Sequence, residues 1–112
     1  MDYFVYLICA EFEGRKLYKI GYTRRNIEKR IKEIKTGNGS DIYLVNFFKS
    51  KWGTKIESQL HKFYLNKKIN REWFDLSDDD LKTFGKRCNL IHETMEIITN
   101  ENSYYLDTGK LF

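Results

Sequence analysis

The sequence contains no proline, only two cysteines and only two histidines among its 112 residues. Without proline there is no proline-rich tract, and no other low-complexity segment or internal repeat is visible. Cys9 and Cys88 lie far apart, and neither has a second Cys or a paired His at metal-ligand spacing. That excludes a disulfide framework and a zinc cage, and leaves both as reduced residues in or near the core. Long apolar runs are also missing, and no segment approaches the length of a membrane span. The opening stretch MDYFVYLICAEFEG lacks a basic start and a long apolar stretch, so it does not read as a signal peptide. Asn38-Gly39-Ser40 fits a glycosylation pattern, but without a secretory signal it reads as a turn. The expectation is an intracellular protein, in cytoplasm or nucleus and not secreted.

Aromatic residues are plentiful: eight Tyr, eight Phe and two Trp. With a hydrophobic fraction of 41%, one core can be filled, and the length suits one domain over 1–112. Its core is expected over about 3–76, followed by a helix and tail over 77–112. Charge is unevenly spread. Residues 1–76 hold 16 Lys/Arg against 9 Asp/Glu, a net of +7, whereas residues 77–112 hold 4 against 7, a net of −3. The basic share therefore sits with the first three-quarters of the chain. A basic surface attracts polyanions by counterion release, although a solvated Lys-rich surface has the same composition.

Residues 3–10, YFVYLICA, are apolar on both alternating faces, as in a strand covered on both sides. Glu13-Gly14-Arg15 turns the chain into a second strand over 17–23, the antiparallel partner of the first. Thr23 or Asn26 caps a helix whose Ile27, Ile31 and Ile34 form a core stripe and which ends at Gly37-Asn38-Gly39. A third strand over 42–48 is again apolar on both faces. A second helix over about 54–66 buries Ile56, Leu60 and Phe63. After the extended piece 72–76, Ser77 caps a third helix with Asp78, Asp79 and Asp80 at its positive end. Leu81, Phe84, Cys88, Ile91, Met95 and Ile98 form its apolar stripe, to about Asn100. The tail with Tyr104, Tyr105, Leu106 and Phe112 reads as packed, conceivably as a last strand. The fold class is α/β of the α+β kind: a small, three-stranded, mainly antiparallel sheet flanked by helices, with a ββαβα core plus a C-terminal helix.

Phe4-Val5-Tyr6 and Lys19-Ile20-Gly21 on the two hairpin strands, Glu28-Lys29-Arg30-Ile31 on the first helix and Ile56-Glu57-Ser58-Gln59-Leu60-His61 on the second occur in an informative order. Together they resemble the GIY-YIG nuclease superfamily over about residues 3–76. The resemblance is closest to a phage and viral subgroup whose second motif reads Lys-Ile-Gly, and Arg71-Glu72-Trp73-Phe74 fits that subgroup as well. Phe4 stands where the family's first Gly is found, Lys19 where its second Tyr is found, and Ile34 where a His is frequent. What the resemblance implies is a metal-dependent endonuclease that hydrolyses a phosphodiester of nucleic acid, DNA foremost. A single Mg²⁺ or Mn²⁺ would be held largely by one carboxylate and waters.

The chemistry needs an activated water, stabilised phosphorane charge and an assisted leaving oxygen. Glu57 is the expected metal ligand; it borders the apolar stripe of its helix, where a cleft-lining residue belongs. His61, one turn on, is expected to bind phosphate, orient Glu57 or join the metal shell, with a structural hydrogen bond as the plain alternative. Arg30 is expected to clamp the phosphate, the alternative being an ion pair with Glu33 or Glu28. Tyr6 and Lys19 compete as activators of water. A free lysine, with a pKa near ~10.4, must be perturbed by burial or a nearby cation to serve as a base. Gly21 is expected to let backbone approach substrate, and Tyr18 and Tyr22 are secondary candidates for hydroxyl contacts with phosphate. Trp73 and Phe74 either stack on a base or belong to the core. Two other functions stay open: a nucleic-acid-binding module without cleavage, and a viral protein-interaction domain. The acidic last helix reads as scaffold or self-association surface, leaving monomer and homodimer both open.

Overall fold

The computed structural model describes residues 2–38 and 41–108, with side chains described for all of these except 37, 38 and 101–108. The elements are β1 (Tyr3–Phe12), β2 (Arg15–Thr23), α1 (Ile27–Asn38), β3 (Asp41–Ser50), α2 (Gly53–Phe63), a 3-10 turn (Leu65–Lys67), β4 (Trp73–Phe74) and α3 (Asp78–Thr108). β1 and β2 meet across a two-residue turn, since Phe12 faces Arg15. Glu13 and Gly14 both take positive φ, 50° and 78°, the backbone that matches the right-handed twist of a hairpin and that glycine adopts without a Cβ penalty.

β1 lies inside the sheet, whose order is β3-β1-β2-β4 with antiparallel pairings throughout. Its alternation fills two cores. Val5, Leu7 and Cys9 join Ile56, Leu60, Phe84 and Cys88 beneath α2 and α3. Tyr6, Ile8 and Ala10 join Ile31 and Ile34 of α1 and Ile42 of β3. Helices on both faces thus account for a strand with no polar side. Cys9 and Cys88 are both buried and free, and burial pushes the Cys88 thiol up to about 12. No helix among the described residues is long and apolar enough to cross a membrane.

Helix starts follow from local side-chain chemistry. Asn26, not Thr23, caps α1: its Oδ1 accepts from the backbone N–H of Glu28 (2.9 Å) and Lys29 (3.2 Å). At α3, Asp80 N–H donates to Ser77 Oγ (3.1 Å) while Ser77 N–H donates to Asp80 Oδ2 (2.9 Å). This reciprocal pair satisfies two donors that the first turn would leave unmet. Ser77→Ala is expected to lower stability by about 1 kcal/mol in urea unfolding, without a change in the m-value.

Several expectations need correction. The sheet has four strands, not three: Trp73 and Phe74 pair with Lys19 and Tyr18. A strand of two residues carries no periodicity, so no sequence pattern marks it. β3 is an edge strand with Tyr43, Val45 and Phe47 exposed, and the register against β1 shifts between Leu7 and Ile8, leaving Val45 as the extra residue of a bulge. α2 stops at Phe63, which is 51% exposed, and the buried position passes to Tyr64. Ile98 is 43% exposed, because α3 runs on past the residues it packs against. The stretch carrying Tyr104, Tyr105 and Leu106 is helical rather than a strand. Gly39 of the expected helix stop, Ser40 and Phe112 lie outside the described residues.

Candidate active site

β4 is short, and the site exists because of it. It covers β2 only at Tyr18 and Lys19, so among the described residues the edge of β2 beyond Lys19 has no strand partner. α1 lies over one face of the sheet and α2 over the other. Around that uncovered edge the side chains of both helices converge. Tyr6, Lys19, Gly21, Tyr22, Arg30, Glu57, His61 and Glu72 line one cavity of about 330 Å³.

Tyr6 is buried and stands directly across from Gly21 in the hairpin. The ring lies over the glycine: a Cβ built at Gly21 would be 2.4 Å from the Tyr6 hydroxyl oxygen and 2.6 Å from its ring carbon Cζ. Gly21 thus makes room for the phenol, and it lines the cavity as well. Arg30 Nε donates to the Tyr6 hydroxyl at 3.4 Å. The competing surface pair is weak, because Glu33 is held by Arg25 at 2.6 and 3.0 Å and stands 3.8 Å from Arg30. The Tyr6 hydroxyl raises the Arg30 pKa further above its ordinary value, against an opposing effect of burial.

Lys19 shares the face of Tyr6 and Gly21, as period-two alternation requires. Its Nζ donates to Glu72 Oε2 at 2.7 Å. That bond, chiefly, holds the Glu72 carboxyl below the usual carboxylate range, with Lys19, His61 and Arg30 adding favourable charge. Sequence reasoning gave Glu72 no role. Its only signal was indirect: a lysine in the middle of an apolar strand needs a counterion, and this one arrives from 53 residues away.

Glu57 is 25% exposed, and its one ion-pair contact among the described residues is His61 Nε2 at 3.7 Å. Burial pushes its carboxyl upward; His61 opposes the shift and Glu72 adds to it. His61 is itself fastened, with Nε2 2.8 Å from the Ile20 carbonyl oxygen and its ring edge-on to Phe74 at 5.0 Å. A carbonyl only accepts, so Nε2 carries the proton and meets the β2 edge where a strand partner would otherwise be. The structural alternative weighed for His61 is therefore its geometry, and Nδ1 is the nitrogen left for other partners.

Not every expected residue arrives. Tyr18 points to the opposite face from Lys19, into the core beside Cys9, where burial raises its hydroxyl pKa. Phe74 is fully buried, and Trp73 is half-buried with Phe12 edge-on at 5.5 Å. Tyr22 reaches the cavity and is 43% exposed.

Among the described residues no group of three or more His, Cys, Asp and Glu is disposed to hold a metal ion. The donor set is one desolvated carboxylate in a cavity beside cationic groups. A single carboxylate oxygen donor is of the hard kind that a divalent cation such as Mg²⁺ takes, with water making up the rest of its shell.

No curated protein and no solved structure matches this chain. A family model does, over residues 3–95, and its description is T5orf172 domain. That span contains β1 to β4, every residue of the cavity and most of α3. The chain belongs to the T5orf172 domain family, a phage-associated domain related to GIY-YIG and HNH-like nucleases.

Proposed function

We propose that this chain is a metal-dependent endonuclease of the GIY-YIG type, hydrolysing a phosphodiester of nucleic acid, DNA foremost, inside a cell. One observation carries the reading: Tyr6, Lys19, Arg30 and Glu57, from two strands and two helices, line a single cavity. Arg30 faces the phosphate and meets the charge that builds on it in the transition state. Tyr6 first gives its phenolic proton to solvent water in the cavity, and the resulting phenolate, faced by the guanidinium at 3.4 Å, then takes the proton of the attacking water and becomes the neutral phenol again. Lys19 exchanges its bond to Glu72 for one to a phosphate oxygen and holds the scissile group in line. Glu57 would hold a Mg²⁺ or Mn²⁺, which supplies Lewis-acid stabilisation of the phosphorane and the leaving oxygen. His61 fixes the edge of β2 and keeps Glu57 company on the same helix face.

The test is nicking of supercoiled plasmid by the full chain with Mg²⁺ or Mn²⁺. Activity that EDTA removes is expected. Arg30→Ala and Lys19→Ala should each lower the rate at saturating protein by about 100-fold while weakening binding less than tenfold, since their largest contacts are made in the transition state. No cleavage with either cation, alongside binding that weakens steeply with salt, would replace this reading with a binding module.

A further inference from the structure

The cavity does not end at Glu72. That residue is shared with a second, adjoining concavity of about 390 Å³ lined by Asn70, Arg71, Glu72 and Trp73. The two adjoin at Glu72 along the β2–β4 margin, with the aromatic ring of Tyr22 lining the first and that of Trp73 the second. Tyr22 is braced edge-to-face by Tyr3 at 5.7 Å. Tyr3 is held in turn by Arg24, which donates to its hydroxyl at 2.8 Å and sits 5.0 Å from its ring centroid. Trp73 is braced by Phe12 at 5.5 Å and 89°. Rings fixed in this way lose little freedom when a flat ligand lies on them.

Their placement restricts what that ligand is. Trp73 pairs with Lys19, three residues before Tyr22 on β2. At ~3.3 Å per strand residue and ~4.8 Å between strands, the two backbone positions are about 11 Å apart. A stacked nucleic-acid strand carries one phosphate per ~3.4 Å, so this distance is covered by about three nucleotides. Yet the two side chains belong to opposite faces of the sheet: Trp73 packs with the Tyr6 cluster, and Tyr22 contacts Tyr3 beside Val5. Bases resting on both rings must therefore turn away from one another within a few nucleotides. Paired bases, stacked in parallel, do not do this; an unpaired strand does.

Resting on the nucleic-acid reading above, we propose that the two adjoining concavities take an unpaired stretch of strand. It wraps the uncovered edge of β2, with bases stacked on Tyr22 and Trp73 to either side of the phosphate that Arg30 faces. The substrate class is single-stranded, flapped or locally melted nucleic acid rather than continuous duplex.

The experiment uses the full chain carrying Glu57→Gln, to prevent turnover, and fluorescence anisotropy with a labelled 12-nucleotide strand and a hairpin duplex of matching sequence at one salt concentration. The single strand is expected to bind at least about tenfold more tightly. Tyr22→Ala should remove about tenfold of that affinity and Tyr22→Phe should retain it. Because Trp73 also packs on Phe12, its stacking is read by fluorescence in a Trp52→Phe background, where quenching is expected with the strand and not with the duplex. Equal or tighter duplex binding, or strand affinity indifferent to Tyr22→Ala, overturns the proposal. Plasmid nicking by the parent chain, with Glu57 intact, leaves the nuclease reading standing whatever those results. A Tyr22-dependent strand preference with no cleavage by the parent chain sinks the nuclease reading and supports this one.

Discussion

Glu57→Gln should unfold at a higher temperature than the parent chain at neutral pH, and should no longer cut. Burial raises the Glu57 carboxyl above its ordinary value, and its one ion-pair contact among the described residues is His61 at 3.7 Å. A carboxyl whose folded pKa exceeds its unfolded one stabilises the fold fully below the unfolded value. That contribution is lost as pH rises through the folded value. At neutral pH the ionised side chain is therefore a cost, which a neutral amide of the same shape removes. The expected gain is a few degrees, in line with about 1 kcal/mol for a domain of this size. It should disappear in acid, where the parent side chain is itself neutral. Millimolar Mg²⁺ or Mn²⁺ should raise the melting temperature of the parent and not of the variant, by preferential binding to the folded state. Cleavage should fall by at least ~100-fold, given the several kcal/mol a Lewis acid supplies to developing charge. Thermal scans across pH, with and without the cation, check all of this. A variant no more stable than the parent at neutral pH, or one stabilised equally by the cation, would refute the assignment of Glu57 as an unbalanced carboxylate awaiting a metal.

Gly21→Ala is the second large effect expected, from a single methyl group. Because a Cβ there would fall 2.4 Å from the Tyr6 oxygen, the ring must leave its place or the hairpin must spread. Overfilling a packed site costs about 1–3 kcal/mol. Displacing Tyr6 also removes the acceptor of the Arg30 hydrogen bond, so activity should drop about 100-fold. A double-mutant cycle separates the two consequences. In a Tyr6→Leu background, Gly21→Ala should cost much less stability than it does alone, while activity stays low in both. Additive stability losses would mean that the methyl group clashes with something other than the phenol.

Much of this arrangement was legible before any coordinates. Hairpin, helices and central strand follow from alternation, from isoleucines spaced along a helix and from capping residues such as Asn26 and Ser77. These are local signals, and local energetics decide them. Tyr6, Lys19, Arg30, Glu57 and His61 were all singled out, and the cavity includes all five. What escaped depends on distant parts of the chain. β4 is two residues long and exists because Trp73 and Phe74 find the β2 edge. Phe63 fits the periodicity of α2, yet it sits where the helix ends and Tyr64 turns inward. Tyr18 shares its strand face with Tyr22, but β4 pairs with it at Phe74 and it is buried in the core, whereas Tyr22 lies beyond that cover. Glu72 has no helix or strand pattern of its own, and only the pairing of β4 brings it to Lys19.

The two-residue strand also sets a timetable for the emerging polypeptide. Tyr6, Lys19 and Arg30 are synthesised close together, on a hairpin and the helix that follows it. Both acidic partners come later, at positions 57 and 72, and the second waits for a closure spanning 53 residues. Until then the young chain holds Lys19 without Glu72 to pair with it. The basic side of the cavity is thus synthesised before its acidic side, and the short strand β4 is the element that brings Glu72 to Lys19.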